Sequence, residues 1–246
     1  MASEQEPPAD LELFYFDTEG KGEPIRLAAV VGNVALKDTR LKREEFGAMK
    51  ESGKLAFGQV PALRVGGDGT LLVQSAAILK FVGKQGSLYP TDDDVLAARI
   101  DALLDEENDL FAGLTVSRYP FRYGFDAVGL QGVNDRGCPE TAKVRAALNS
   151  SVLPKHLTHL EAILAAGGTG WLAGTPGPTV ADLLFAPRLC WMLHENDGVD
   201  PGLLTACAPG LADLVRRVYA LPPIKDHYAA RGKAFDAAAL RLVASA

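Results

Sequence analysis

The sequence has little cysteine, no excess of basic residues and no long apolar run. Its three cysteines, Cys138, Cys190 and Cys207, are far apart and form no C-x-x-C pair, which excludes a disulfide scaffold and a cysteine zinc site. The net charge is −6, the wrong sign for binding nucleic acid or an anionic membrane. The N-terminus is acidic and polar, unlike a signal peptide, and no run of 18 apolar residues exists. These absences predict a soluble cytoplasmic protein without a nucleic-acid or membrane partner.

What is present fits a two-domain globular chain. The 246 residues suffice for two small domains, and 48% of them are hydrophobic. Strand and helix patterns alternate in the first third, and only helical patterns follow. We therefore predict an α+β domain joined to an all-α domain.

The order of elements in the first domain is predicted as βαβαββα over residues 11–86. Residues 1–10 contain a Pro-Pro pair and several acids, which predicts a disordered leader. The first helix opens at Glu23-Pro24, and Gly32 is expected to end it in a left-handed conformation. A hairpin brings together residues 61–65 and 70–74, and Ser75 is expected to cap the helix that follows.

Residues 87–94 are interpreted as a linker, and residues 95–246 as the helical domain. Helical spacing predicts helices over 139–165, 179–195, 209–220 and 222–240. Thr179 and Asp182 have the spacing of a capping box, which is a folding feature without chemistry.

Four segments in order resemble the cytosolic glutathione transferases of the tyrosine type, with sigma class nearest and pi class second. They are Leu13-Phe14-Tyr15-Phe16 with Gly20 to Leu27, then Phe57 to Pro61, Gln74-Ser75, and Thr179 to Asp182. The resemblance covers about residues 11 to 228. It implies a thioredoxin-like first domain, a homodimer, and a transferase that conjugates glutathione, as co-substrate, to small hydrophobic electrophiles in detoxification. No tightly bound cofactor and no metal are implied.

Tyr15 is the catalytic residue that the resemblance implies. A phenol hydroxyl beside a thiol, with positive charge nearby, favours thiolate, since a free thiol titrates near about 8.5. From the residues alone, Tyr15 would be interpreted as a strand tyrosine packed in the core. Lys21 stands where an arginine is usual; it supplies charge without the planar fork, or is a solvated loop lysine.

The resemblance also implies the residues that hold glutathione. Ser75, at a helix start, would bind the γ-glutamyl carboxylate. A cis Val60–Pro61 bond would present the backbone of Val60 to the cysteinyl residue; an ordinary trans proline is the alternative. Either Lys50 or Lys54 would bind the glycyl carboxylate. The full predicted set is Tyr15, Phe16, Phe46, Lys50, Gln59, Val60, Pro61, Gln74, Ser75 and, from the partner subunit, Asp109.

Asp101, Asp105 and Asp109 repeat every four residues on one predicted helix face. The spacing is equally that of a solvated acidic face, and an acidic cluster at a two-fold axis would also attract Mg²⁺ or Ca²⁺.

The electrophile site is predicted at Lys21, Gly22, Tyr119, Phe121 and Tyr123. The aromatic residues belong to an unusual stretch, 117–137, interpreted as a loop insertion; they either stack on a co-substrate or pack against helices.

Two other functions remain open from the sequence. One is a glutathione-dependent isomerase of the prostaglandin D synthase kind, or a hydroperoxide peroxidase. The other is a non-catalytic ligand-binding or structural relative, against which the intact Tyr15 and Gln74-Ser75 argue. The absence of cysteine before Cys138 argues against thiol–disulfide exchange in the first domain.

Overall fold

The computed structural model describes residues 11–67, 69–131, 138–194 and 198–231. The chain folds into two compact units, Met1–Asp94 and Val95–Ala246. The predicted leader, residues 1–10, lies outside the described residues.

The first unit has the predicted order βαβαββα. Its elements are β1 (Leu11–Phe16), α1 (Glu23–Val31), β2 (Leu36–Leu41), α2 (Arg43–Glu51), β3 (Ala62–Val65), β4 (Thr70–Val73) and α3 (Ser75–Gln85). The strands form one mixed sheet in the order β2-β1-β3-β4, in which β1 and β2 are parallel and the other two pairs are antiparallel. The predicted fold class is confirmed in this unit.

The two faces of the sheet differ in chemistry. Leu11 and Leu13 of β1 are buried, and α1 and α3 contact each other. On the alternate positions, Glu12 pairs with Lys37 and Arg64 from the neighbouring strands. Burial alone would raise the pKa of Glu12, but hydrogen bonds from Thr39 and Lys37 and the charge of Arg64 outweigh it and lower the pKa. One face is therefore apolar, and the other carries a charged cluster.

Gly32 follows α1 as predicted, but not in the predicted left-handed conformation. Gly32 follows α1 with a φ of −80°, and the positive φ belongs to Asn33, at 51°. A Cβ built on Gly32 would lie 2.6 Å from the Cα of Gly86, just after α3. Glycine is needed here because the ends of two helices approach closely, not because the chain turns left-handed.

The second unit is helical in the part of the chain that the structure describes. Its α-helices are α4 (Asp94–Arg118), α5 (Pro139–Ala147), α6 (Leu153–Gly167), α7 (Val180–His194), α8 (Leu203–Cys207), α9 (Pro209–Tyr219) and α10 (Pro222–Ala230), and α4 begins at the boundary residue Asp94. Two short 3-10 helices, Pro120–Arg122 and Phe125–Val128, follow α4. The predicted all-α domain is confirmed. No described helix is long and apolar enough to cross a membrane.

The helix predicted over 139–165 is interrupted. A π-helical turn, Leu148–Val152, separates α5 from α6. Pro154 in the first turn of α6 has no N–H to donate to the preceding turn, so regular α-helical bonding cannot continue through it. The short helix α8 was not predicted, and residues 232–240 of the last predicted helix lie outside the described residues.

Carboxylates cap two helices of this unit. The N–H of Thr179 donates to Asp182 at 2.7 Å, and the N–H of Ala181 donates to the hydroxyl of Thr179 at 3.3 Å, which confirms the predicted cap. Burial raises the pKa of Asp182, although hydrogen bonds from Leu172 and Thr179 oppose the shift. At α9 the residue before the helix is an alanine that cannot cap it, and Glu161 of α6 supplies the cap instead.

Candidate active site

Tyr15 lies at the end of β1, half-buried, with its ring enclosed by the following loop. Its hydroxyl oxygen accepts a hydrogen bond from the backbone N–H of Lys21 at 3.0 Å. A Cβ on Gly20 would lie 2.5 Å from this oxygen, and one on Gly22 would lie 2.4 Å from Cδ1 of the ring. The two glycines therefore let the loop wrap around the phenol. Because the oxygen accepts from Lys21, its own proton is directed to another acceptor.

Arg26 is a site residue that the sequence analysis missed. Its guanidinium is buried and donates to the carbonyl oxygens of Phe16 at 3.2 Å and Thr18 at 2.8 Å. It also pairs with Glu23 at 3.0 Å and Asp38 at 3.1 Å. The Cζ atom lies 5.5 Å from the centroid of the Tyr15 ring. Arg26 thus holds the loop that follows Tyr15 and places a positive charge over the phenol. The spacing of Glu23 and Arg26, three residues apart in α1, was the available signal.

The strand register places three predicted residues in a row at one edge of the sheet. Phe14 of β1 pairs with Ala62 of β3, and Ala62 pairs with Val73 of β4. The next positions outward are Tyr15 of β1, Pro61 just before β3 and Gln74 just after β4. Adjacent strands of a sheet are about 4.8 Å apart. The Val60–Pro61 peptide bond is cis, as the resemblance implies.

Gln74 and Ser75 form the turn from β4 into α3. Ser75 is the first residue of α3 rather than its N-cap, so the predicted cap is wrong. Gln74 occupies the cap position with a φ of 73°, which is strained for a residue with a side chain, and no side-chain cap bond is made there. The N–H groups of the first turn are left for another acceptor, and a helix N-terminus favours an anion.

The structure distinguishes the two candidate lysines by their surroundings. Gly58 has a φ of 61°, and a Cβ built on it would lie 3.3 Å from Cε of Lys50. The side chain of Lys50 therefore lies along the segment that leads to the cis proline. Gln59, in the same segment, is exposed. Lys54 lies in the loop after α2, and both lysines are exposed.

Phe16 and Phe46 form an aromatic group with Tyr15. The rings of Phe16 and Phe46 meet edge to face at 5.3 Å, and those of Phe16 and Tyr15 lie 5.8 Å apart. Phe46 of α2 is thus brought to the sheet edge that carries Tyr15.

The aromatic residues predicted for the electrophile site lie in the second unit. Tyr119 is half-buried, whereas Phe121 and Tyr123 are exposed. Asp109 is exposed on α4. Among the described residues, no group of three carboxylate, cysteine or histidine side chains is placed to hold a metal ion, the aspartates of α4 included.

Comparison with known proteins agrees with this geometry. Residues 135–231 match the family model described as glutathione S-transferase, C-terminal domain. Glutathione S-transferase 1 of Ascaris suum is 34% identical over 228 residues, which cover 90% of this chain and 97% of that protein. The chain belongs to the cytosolic glutathione S-transferase family.

Solved structures of the family share the fold. The glutathione S-transferase of Ascaris lumbricoides is 30% identical, with a TM-score of 0.67 over 92% of this chain and 99% of that one. A prostaglandin synthase D of Nilaparvata lugens has a TM-score of 0.72 over 90% of this chain and 98% of that one, at 24% identity. Glutathione is the co-substrate of this family.

Proposed function

We propose that the chain conjugates glutathione to small hydrophobic electrophiles and that Tyr15 stabilises the reacting thiolate. The observation that carries the proposal is the hydrogen bond from the N–H of Lys21 to the Tyr15 hydroxyl. An oxygen that accepts this bond is a better donor through its own O–H, as hydrogen bonds in a chain polarise one another. A donor aimed at sulfur favours thiolate over thiol.

The remaining predicted residues are proposed to hold the tripeptide. The N–H groups at the start of α3, which the side chain of Gln74 does not cap, suit the γ-glutamyl carboxylate. Val60, next to the cis proline, offers backbone groups to the cysteinyl residue, and Lys50 offers charge to the glycyl carboxylate. Further contacts are assigned to Phe16, Phe46, Gln59, Pro61 and, from a second subunit, Asp109.

The reaction itself needs only the thiolate and its orientation. The sulfur forms a bond to an electrophilic carbon, and a leaving group departs with the electron pair of its bond, while the thiol proton passes to solvent. Binding both reactants together converts the encounter into an effectively unimolecular step. The side chains proposed for the electrophile are Lys21, Gly22, Tyr119, Phe121 and Tyr123.

The test is conjugation of 1-chloro-2,4-dinitrobenzene by the wild type, Tyr15→Phe and Lys21→Gln, with glutathione binding measured by calorimetry. We expect kcat/KM to fall about 100-fold in Tyr15→Phe with glutathione binding retained. Lys21→Gln should lose much less, since the contact to Tyr15 is made by the main chain. A folded Tyr15→Phe variant with full activity would contradict the proposal.

A second candidate uses the same thiolate for isomerisation or peroxide reduction. The similarity in fold to the prostaglandin synthase D of Nilaparvata lugens is the reason to test it. Glutathione binding with no turnover of the chloroarene, followed by turnover of an endoperoxide or a hydroperoxide, would replace conjugation with this function. Binding without any turnover would indicate the non-catalytic relative.

We also propose a sigma-like homodimer that acts in the cytoplasm in detoxification. Phe57, just before the Gly58–Val60 segment, is an exposed aromatic side chain of the first unit and suits insertion into a partner subunit. Light scattering at low protein concentration should give a dimer for the wild type and a monomer for Phe57→Ser. A dimeric Phe57→Ser variant would refute this assignment of the interface.

A further inference from the structure

Two charged residues of β2, Asp38 and Arg40, lie on the same side of the sheet as Tyr15. In the parallel pairing of β1 and β2, Asp38 is opposite Leu13 and Arg40 is opposite Tyr15. Successive residues of a strand point to opposite faces, so the side chains at 38 and 40 share one face. Neither residue was among those predicted for the site.

Asp38 joins two arginines. Nε of Arg26 donates to both carboxylate oxygens of Asp38, at 3.1 Å each, and Nε of Arg40 donates to Oδ2 at 2.6 Å. The side chain of Arg26 is 1% exposed, and those of Asp38 and Arg40 are 26% and 19% exposed. Because the carboxylate offsets the repulsion between two guanidinium groups that are largely removed from water, Asp38 fixes both arginines in place.

The two arginines hold three consecutive residues of the loop that follows Tyr15. Arg26 donates to the carbonyl oxygens of Phe16 at 3.2 Å and Thr18 at 2.8 Å. Arg40 pairs at 3.1 Å with the carboxylate of Asp17, which lies between these two residues. Hydrogen bonds from a charged donor are stronger than neutral ones, so the arginines fix the loop where it leaves β1.

The far end of the same loop supplies the hydrogen bond to the Tyr15 hydroxyl. The N–H of Lys21 donates to this oxygen at 3.0 Å, and the N–H of Glu23 donates to the carbonyl of Glu19 at 2.8 Å. Lys21 follows Thr18 closely in the chain. A shift of the segment that the arginines hold would therefore change the direction of the Lys21 N–H.

We propose that Asp38 is a positioning residue for the reacting thiolate, which acts by keeping the two arginines in place. Through them it fixes the loop that aligns the Tyr15 hydroxyl. The inference rests on the proposed function of Tyr15. A hydroxyl favours thiolate only if its proton points at the sulfur, and this direction depends on the bond that Lys21 donates to the oxygen. Loss of the Asp38 carboxylate should therefore raise the pH at which the bound thiol ionises.

A role in stability alone would have a different consequence, and Glu12 provides the comparison. Glu12 is 5% exposed and pairs with Lys37 and Arg64 on the other face of the sheet. These ion pairs lie within the sheet, between β1 and its two neighbouring strands, and not in the loop after β1. Glu12→Gln is therefore a matched control, since it removes a carboxylate from the same sheet without releasing the loop.

The experiment titrates the thiol of bound glutathione, at saturation, by the ultraviolet absorbance of the thiolate. Asp38→Asn keeps the size of the side chain, but its amide presents N–H groups to one guanidinium, so the network opens. We expect the midpoint of ionisation to rise by about 0.5–1 pH unit in Asp38→Asn and to stay unchanged in Glu12→Gln. Below the midpoint, kcat/KM for 1-chloro-2,4-dinitrobenzene should fall about 3–10-fold in Asp38→Asn, and the loss should shrink above it.

Arg40→Gln is the second variant, in case Asp38→Asn does not fold. It removes the ion pair to Asp17 and leaves Asp38 with Arg26. We expect the midpoint to rise by about 0.3–0.5 pH unit, less than in Asp38→Asn, because Arg26 still holds the loop. Urea denaturation and circular dichroism check that each variant is folded at the temperature of the titration.

The outcomes separate this inference from the proposed function. An unmoved midpoint in the folded variants at 38 and 40, while Tyr15→Phe raises it, would overturn the positioning role and leave the role of Tyr15 standing. A uniform loss of kcat/KM at every pH, an equal rise in Glu12→Gln, or loss of glutathione binding in both variants would also overturn it. No rise in Tyr15→Phe would mean that the proposed function has failed, and this inference with it.

Discussion

Arg26 in the first unit and Arg188 in the second are almost equally buried, at 2% and 3% exposure, yet their charges are satisfied in different ways. Arg26 donates to two backbone carbonyls and pairs with two carboxylates. Arg188 donates to Glu107 at 2.6 Å and lies 4.1 and 4.5 Å from the rings of Phe111 and Trp191.

The difference follows from the backbone that surrounds each arginine. Arg26 faces the loop after β1, whose carbonyl groups are not committed to a helix. Arg188 lies between α4 and α7, where interior carbonyls already accept bonds from the residue four positions on. A buried charge between helices must therefore be satisfied by side chains and aromatic faces. In the loop after β1, by contrast, backbone carbonyl groups can accept hydrogen bonds from a buried arginine.

The largest loss of stability is expected when one partner of a buried ion pair is removed. Arg188→Met should lower the free energy of unfolding by about 3–5 kcal/mol, since Glu107 is left buried and uncompensated. Adding Glu107→Leu should recover most of this loss, as measured by urea denaturation.

In the first unit, by contrast, replacing a carboxylate partner together with the arginine should not restore stability. Arg26→Met with Asp38→Leu removes the donor of two backbone carbonyls and the carboxylate that pairs with Arg40, so little stability should return. Equal recovery in the two double variants would remove the distinction between the two arginines.

A smaller loss of stability is expected when Arg26 is replaced by a side chain that keeps the positive charge but has a different shape. Arg26→Lys should cost about 2 kcal/mol, because an ammonium cannot reach all the acceptors that the fork reaches. Glutathione conjugation per folded molecule should also fall, since the loop around Tyr15 loosens. Arg188→Lys serves as the matched variant and should lose stability while conjugation by the folded fraction is kept.

The cap of α9 tests whether side chains satisfy backbone groups in the helical unit. Glu161→Gln should cost about 1–2 kcal/mol, because its carboxylate accepts from the N–H groups of Gly210 and Leu211. Thermal and urea unfolding would measure it. Asp226→Asn, an exposed acid of α10, should have no effect; an equal loss there would indicate a general charge effect.

The smallest expected effect depends on pH. The pKa of Glu12 is lower in the folded chain, so its contribution to stability is present above the unfolded value near 4.5 and is lost as pH falls through the folded value. Glu12→Gln should therefore cost about 1 kcal/mol at pH 7, and the cost should shrink below about pH 4.5. Urea titrations at several pH values, with Glu51→Gln as control, would show it; a constant difference would refute the charge argument.

The sequence predicted elements well where the pattern was local. The first domain was predicted to open with a strand at residue 11, and β1 begins there, since alternation and aromatic content are properties of the strand itself. The Thr179–Asp182 cap is likewise a local signal. The break before α6 was missed, although Pro154 stood in the predicted helix and gave a local reason for it.

The candidate site, too, was predicted only as far as local sequence motifs allowed. Tyr15, Gln74 and Ser75 were named from motifs, and their functional roles stay predictions. Arg26 was missed because its spacing from Glu23 is equally that of an ordinary exposed ion pair on a helix, and its burial depends on Asp38 and on the loop after β1.

The amino-acid sequence by itself determined the order of strands and helices in the first unit, the all-helical class of the second, the family, and the residues that the family's motifs carry. Tertiary structure alone decided which charges are buried and what satisfies them. Arg188 meets Glu107 across 81 positions, and Arg64 meets Glu12 across 52. Local patterns report the conformation of a segment, whereas the burial of a charge depends on partners that only folding brings together.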